Sequence, residues 1–393
     1  MEATTNTTHD VSVDEVVALT QTLIRIDSST PGSGSNTAGE TTIARYIAAW
    51  LQCRSIEIHW IEETPGRPSV VGVARGTGGG KSLMFNGHTD TVTLQGYDGD
   101  PLSGTISNGR IYGRGSADMK SGLAAAMIAT ARAASLSLAG DVILAAVADE
   151  ECDSLGTEQL LAAGWRSDAA IIAEPTDFAI VNAHKGYALF EVDILGVAAH
   201  GSRPDLGVDA IAKAGYFLVE LDRYATHLQE SVRGSNDKLS APNVHAGVIR
   251  GGAEINSYAA QCTISIERRT IAGETHDGVR DEILALLNGL AATVPNFRFK
   301  LRTTSHRPPF HIPSDDPFLK LVIEGAVQTT GAAPLVKSET YWTDIALLAE
   351  VGIPGVVWGP RGTGLHSKDE SVEVQSVKDL SDSFVAIATS FCK

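Results

Sequence analysis

The sequence predicts an α/β protein in which a doubly wound mixed sheet is interrupted by an inserted ferredoxin-like α+β domain. Three observations predict it. Short apolar runs (Leu83–Phe85, Val142–Val147, Ala169–Ala173) alternate with helical patterns, the signature of a sheet covered by helices. Between residues 185 and 304 the order changes to strand-helix-strand-strand-helix-strand, the split βαβ arrangement. After Arg307-Pro308-Pro309 the first pattern resumes. The expected organisation is therefore a larger domain in two parts, 1–184 and 305–393, with a smaller domain inserted at 185–304.

Length and composition agree with this division. A chain of 393 residues exceeds what one core organises, and 43% hydrophobic with 20% charged residues is a globular balance. The net charge of -16 argues against nucleic acid and anionic membrane surfaces as partners, because both would be repelled. No apolar run is long enough to span a bilayer. Cys53, Cys152, Cys262 and Cys392 show no Cys-x-x-Cys spacing, and residues 1–10 are polar, without a charged-then-apolar leader. Free thiols in a reducing, cytoplasmic compartment are the expectation.

In chain order, residues 1–10 read as a loose tail. Ser12 and Glu15 form a capping box for an amphipathic helix that continues through Val16, Leu19 and Leu23. A Ser/Gly-rich loop follows at 28–39, then a second helix at 41–53 and strands at 56–61 and 69–74. Gly76 to Ser82 superficially resembles a phosphate loop, but Arg75 stands where a Gly is needed and a strand follows, so a hairpin turn is expected. Asn108-Gly109 is a hairpin turn with better chemistry.

Polar groups collect at the ends of these elements. His88 and Asp90 follow the run Leu83–Phe85, and in extended backbone residues two apart point the same way. Asp118 precedes an Ala-rich helix at 121–134, where a helix-start role is the plainer reading. Asp149-Glu150-Glu151 end one apolar strand and Glu174 ends another; three adjacent carboxylates repel unless solvent or cations relieve them. His366 sits in a Gly-rich loop after the run Pro354–Trp358. In doubly wound sheets such strand ends are where ligands bind. His88, Asp118, Glu151, Glu174 and His366, with Glu150 beside them, make a mixed N/O donor set for two cations; zinc suits it, with cobalt or manganese as alternatives.

These motifs, in this order, resemble the metallopeptidase family of acetylornithine deacetylase, succinyl-diaminopimelate desuccinylase, aminoacylase and the glutamate-releasing carboxypeptidase. The resemblance covers nearly the whole chain and implies that 1–184 and 305–393 form the catalytic domain and 185–304 a lid or dimerisation domain. It implies that His88 and Glu174 bind one metal, that Glu151 and His366 bind the other, and that Asp118 bridges them. It implies Asp90 as the carboxylate orienting His88, Glu150 as general base and a bond from Asp118 to Met119 that is often cis in relatives. His200 resembles the His that reaches across a homodimer to polarise the scissile carbonyl, and Arg269 with Asn256 resembles the groups that hold a substrate carboxylate. The chain departs from the family at Glu267 and Ala272, where Asp and Pro are usual.

The expected activity is metal-dependent hydrolysis of the amide bond of an N-acyl amino acid or short peptide, by a metal-bridging water with a Glu base. Amide formation, or a non-catalytic binding or regulatory role on the same metals, are the alternatives. No Gly-x-Ser-x-Gly occurs, which disfavours a serine hydrolase.

Overall fold

The computed structural model describes residues 13–30, 37–230 and 241–393, without the side chains of residues 13 and 14. The expected tail and Ser12 of the capping box lie outside the described residues. The chain forms two compact units: Met1–Asn182 with Ile312–Lys337 and Thr343–Lys393, and Ala183–His311 with Ser338–Trp342.

The first unit is built on α1 (Val13–Ile24), α2 (Thr41–Gln52), β1 (Glu57–Ile61), β2 (Ser69–Ala74), β3 (Leu83–His88), β4 (Thr105–Ser107), β5 (Arg110–Tyr112), α3 (Lys120–Ala133), β6 (Val142–Val147), α4 (Leu155–Ala162), β7 (Ala169–Ile172) and β8 (Ile180–His184). The second contains β9 (Gly186–Leu195), α5 (Ala210–Glu230), β10 (Asn243–Gly251), β11 (Gln261–Thr270), α6 (His276–Thr293), β12 (Phe299–Arg307) and β13 (Phe310–His311). The chain then supplies α7 (Pro317–Thr330), β14 (Val336–Glu339), α8 (Ile345–Glu350), β15 (Gly355–Val357), β16 (Gly362–Thr363), β17 (Ser371–Glu373) and α9 (Val374–Phe391).

The large sheet runs β1-β2-β6-β3-β7-β15-β8. Its centre, β6-β3-β7-β15, is parallel, while β1, β2 and β8 join antiparallel. The central strands are buried along their length, which is why they read as continuous apolar runs. Alternation along β3 sends its neighbours to opposite faces. Asn86 donates to Thr157 Oγ1 of α4 at 3.1 Å, while Gly87 packs on Met119 and Leu123 and Phe85 stacks on Phe384 of α9 with centroids 4.7 Å apart. Helices therefore cover both faces, as doubly wound patterning requires.

One sequence expectation fails here. The loop 76–82 is not a hairpin turn, because β6 lies between β2 and β3 in the sheet. The loop binds the turn that leads into β6 instead: Thr77 and Gly78 donate to the carbonyls of Leu138 and Ala139 at 2.8 Å each. Asn108-Gly109 does close the β4–β5 hairpin, with φ of 47° and 72°, the pair of positive values a type I′ turn needs.

The second unit is an antiparallel sheet ordered β10-β11-β9-β12 with α5 and α6 packed on it, the ferredoxin-like topology. Phe190, Val192 and Ile194 of β9 meet Phe217 and Leu221 of α5 and Ile283 and Leu287 of α6 in its core. Among the described residues no helix is long and apolar enough to cross a membrane.

Candidate metal centre

The parallel strands β6, β3, β7 and β15 end at one edge of the first unit, and the polar groups singled out in the sequence follow them. His88 is the last residue of β3, Glu150 and Glu151 follow β6, Glu174 follows β7, and His366 stands beyond β15. Asp118 arrives from the loop that opens α3. That helix fits because Gly122 lies against the Ala173 carbonyl, where a Cβ would come within 1.9 Å of the oxygen. The close approach sets Asp118 beside the strand end that carries Glu174.

The side chains converge as two imidazoles around one carboxylate. Asp118 Oδ1 lies 3.1 Å from His88 Nε2, and Asp118 Oδ2 lies 3.2 Å from His366 Nε2. Glu174 Oε1 is 3.4 Å from His88 Nε2, and Glu151 Oε2 is 3.1 Å from His366 Nε2. The ligand atoms of His88, Glu150 and Glu174 lie within 4.8 Å of one another, as do those of His88, Asp118 and Glu151. His88 is 1% exposed whereas the His366 side chain is 53% exposed, so the two halves differ in access to solvent. The Asp118–Met119 bond is cis.

Asp90 meets His88 through both its main chain and its carboxylate. It is the Asp90 backbone carbonyl that lies 2.9 Å from His88 Nδ1, with the carboxylate 3.7 Å away. The Asp90 carboxylate accepts the main-chain N–H groups of Glu150 and Glu151, each at 3.2 Å.

Electrostatics show what the cluster needs. Burial is the main force raising Glu150 well above the ordinary carboxylate range, helped by Glu174, Asp344 and Glu151. Burial likewise pushes Glu174 up to about 8. For His366, bonds to Asp118 and Glu151 raise the imidazole to about 10. Burial opposes the charged form of His88, but Glu174 and Asp118 outweigh it and raise it well above its usual value. For Asp118, burial is outweighed by the two imidazoles, which lower it. Carboxylates forced together and held out of water are relieved by positive charge. The donor set, with Asp118 offering one oxygen to each imidazole, fits two cations.

The sequence did not reveal the pairings that hold this edge together. Asp149, first of the three consecutive acids, is paired with Arg67 at 2.5 Å, and the same guanidinium grips the fully buried Glu40. Asp344 is buried behind Glu150 and accepts from Thr157 Oγ1 at 2.5 Å; burial pushes it up to about 6. Arg114 and Glu370 form a buried pair at 2.9 Å. Each joins segments distant in the chain, so no local spacing marks it.

The second unit carries the other three candidates. His200 is exposed, with Nδ1 2.8 Å from Ser202 Oγ, and its loop meets that of Asn256 where Gly201 N–H donates to the Asn256 carbonyl at 2.7 Å. Arg269 lies apart from them at the far end of β11. Its guanidinium stacks over Tyr187 and binds Glu267 at 3.2 Å and the Thr340 carbonyl.

A profile of peptidase family M20/M25/M40 matches residues 84–390. The chain belongs to that family. It is 31% identical over 329 residues to the acetylornithine deacetylase of Myxococcus xanthus, spanning 82% of this chain and 84% of that one. Its fold matches the aminopeptidase PepT of Bacillus cereus at a TM-score of 0.77 and 19% identity, covering 97% of this chain and 99% of the other. It also matches a dinuclear metal-binding peptidase of family M20 from Bacillus subtilis at 0.75 and 18% identity, over 97% and 98% of the two chains. As an M20 protein the chain is a hydrolase of the peptidase and amide-deacylase type.

Proposed function

We propose that this M20 hydrolase cleaves the amide bond of an N-acyl amino acid or short peptide, with Glu150 as general base. The observation that carries this reading is Asp118, whose two carboxylate oxygens face the imidazoles of His88 and His366 beside Glu150. His88, Glu174 and Asp118 would hold one cation; His366, Glu151 and Asp118 would hold the second. The N/O donors without thiolate suit zinc, with cobalt or manganese as substitutes. Bound there, such a pair supplies the positive charge that lowers the pKa of a water and polarises a carbonyl oxygen.

The protein's own groups do the proton work. Glu150 takes a proton from the attacking water and returns it to the leaving nitrogen. Burial raises its pKa above that of an ordinary carboxylate, which makes it the stronger proton acceptor. Asp90 holds the main chain of Glu150 and so aims the base. His200 is assigned to the developing oxyanion, and Arg269 with Asn256 to the substrate carboxylate; stacking on Tyr187 keeps the Arg269 guanidinium extended.

A homodimer through the inserted domain is supported by its open edge. β10 ends the sheet and is exposed along nearly all its length, with Val248 and Ile249 uncovered and Ile211, Tyr216 and Val219 of α5 likewise exposed. A cytoplasmic location is supported by four free cysteines.

The test is release of free amino acid from a panel of N-acyl amino acids and dipeptides by zinc- or cobalt-loaded protein. Turnover of at least one class is expected. Protein carrying two ions and releasing nothing from the whole panel would overturn the reading.

A further inference from the structure

Glu370 is 1% exposed, and both of its oxygens are doubly engaged. Oε1 accepts the main-chain N–H of Ala117 at 2.9 Å and of Asp118 at 3.0 Å. Oε2 accepts the N–H of Gly115 at 3.0 Å and Nη1 of Arg114 at 2.9 Å. Arg114 in turn donates to the carbonyl of Ser367, the residue after His366, at 2.9 Å, and to that of Thr93 at 3.2 Å. The Glu370 carbonyl closes the arrangement by accepting from Tyr97 Oη at 3.0 Å and Gly113 N–H at 3.3 Å. One carboxylate thus gathers the main-chain donors of Gly115, Ala117 and Asp118 and a guanidinium, as an anion does in a backbone nest.

We propose that Glu370 is a positioning residue for the metal centre, tying the segment that carries Asp118 to the segment that carries His366 and thereby setting the spacing between them. The inference rests on the ligand assignment above. Its force lies in which groups are held. Glu370 grips the amide of Asp118 itself, so any shift of that carboxylate is passed through one Cα to the bridging side chain. Arg114 applies the same constraint one residue from His366. The buried His88 is held within β3, and Glu174 stands two residues past β7, apart from both contacts. Asp118 serves both cations, but the hold on Ser367 beside His366 serves only the second, so loss of Glu370 falls hardest on the cation shared by Glu151 and the half-exposed His366.

Glu370→Gln tests this, because an amide keeps the shape but turns an N–H group toward main-chain donors. Metal-stripped wild type and variant are titrated with Zn2+ and with Co2+, following heat, bound equivalents and the cobalt absorption bands. The variant should keep its first equivalent and bind the second about 10–100-fold more weakly, as loss of a group orienting a ligand does elsewhere. Its cobalt spectrum should change, and its kcat should fall with little change in KM. Glu370→Asp, which keeps the charge, should recover part of the loss. Arg114→Lys keeps a cation but not the fork to Ser367, and gives the same selective weakening should Glu370→Gln not fold. Two equivalents bound with unchanged affinity in both variants, or equal weakening of both ions, would overturn the proposal. A wild type that binds no pair of ions would instead overturn the ligand assignment.

Discussion

Asp118 Oδ2 lies 3.2 Å from Nε2 of His366, although the first stands at the head of α3 and the second in a loop beyond β15. The contact joins two halves of the first unit that the inserted segment separates in sequence. Because the other oxygen of Asp118 faces His88, the two candidate cation sites share a ligand. Asp118→Asn offers only one good acceptor oxygen. It should reduce bound zinc from two equivalents to one or fewer, measured by elemental analysis after exhaustive dialysis.

Glu150→Gln separates binding from chemistry. Glu150 is assigned to the proton rather than to an ion, so the variant should hold both cations. Its kcat should drop by about 10²–10⁴-fold, the range general acid–base groups supply. Steady-state kinetics paired with metal content decides it, and near-normal kcat would remove Glu150 from its role.

Arg67 is the counter-charge for Asp149 and Glu40, whose side chains are 1% and 0% exposed. Arg67→Met would leave two buried carboxylates without their partner. Removing one member of a buried pair costs about 3–5 kcal/mol, so thermal unfolding should fall by several degrees and recover in part at acid pH, where the carboxylates take up protons.

Stability of the metal-free protein should depend on pH in an unusual direction. Glu174, raised to about 8, and His366, raised to about 10, both hold protons in the folded state that the unfolded chain releases at lower pH. Where the folded state binds more protons, stability falls as pH rises. Between pH 5 and 8 the melting temperature of chelator-treated protein should therefore decline. Saturating zinc should remove the decline, because cations replace the protons. A metal-free melting temperature that climbs over this window would contradict the electrostatic account.

The local patterns of this sequence determined a good deal. Alternation of apolar runs with helical periods, and the switch of order in the inserted segment, announced both units. The ends of β3, β6 and β7 announced His88, Glu150, Glu151 and Glu174 as neighbours, because parallel strands all finish at one edge. Tertiary structure alone decided what those groups touch. Insertion of β6 between β2 and β3 turned the expected hairpin at 76–82 into a crossing loop. The C-terminal helix α9, which supplies Phe384 to stack on Phe85, was not foreseen, nor was the hold of Glu370 on Asp118, 252 positions away. The reason is physical. Periodicity records which way a side chain faces, an attribute of a few adjacent residues, whereas the partner of a buried charge is chosen only when distant segments close around it and no water remains to serve instead.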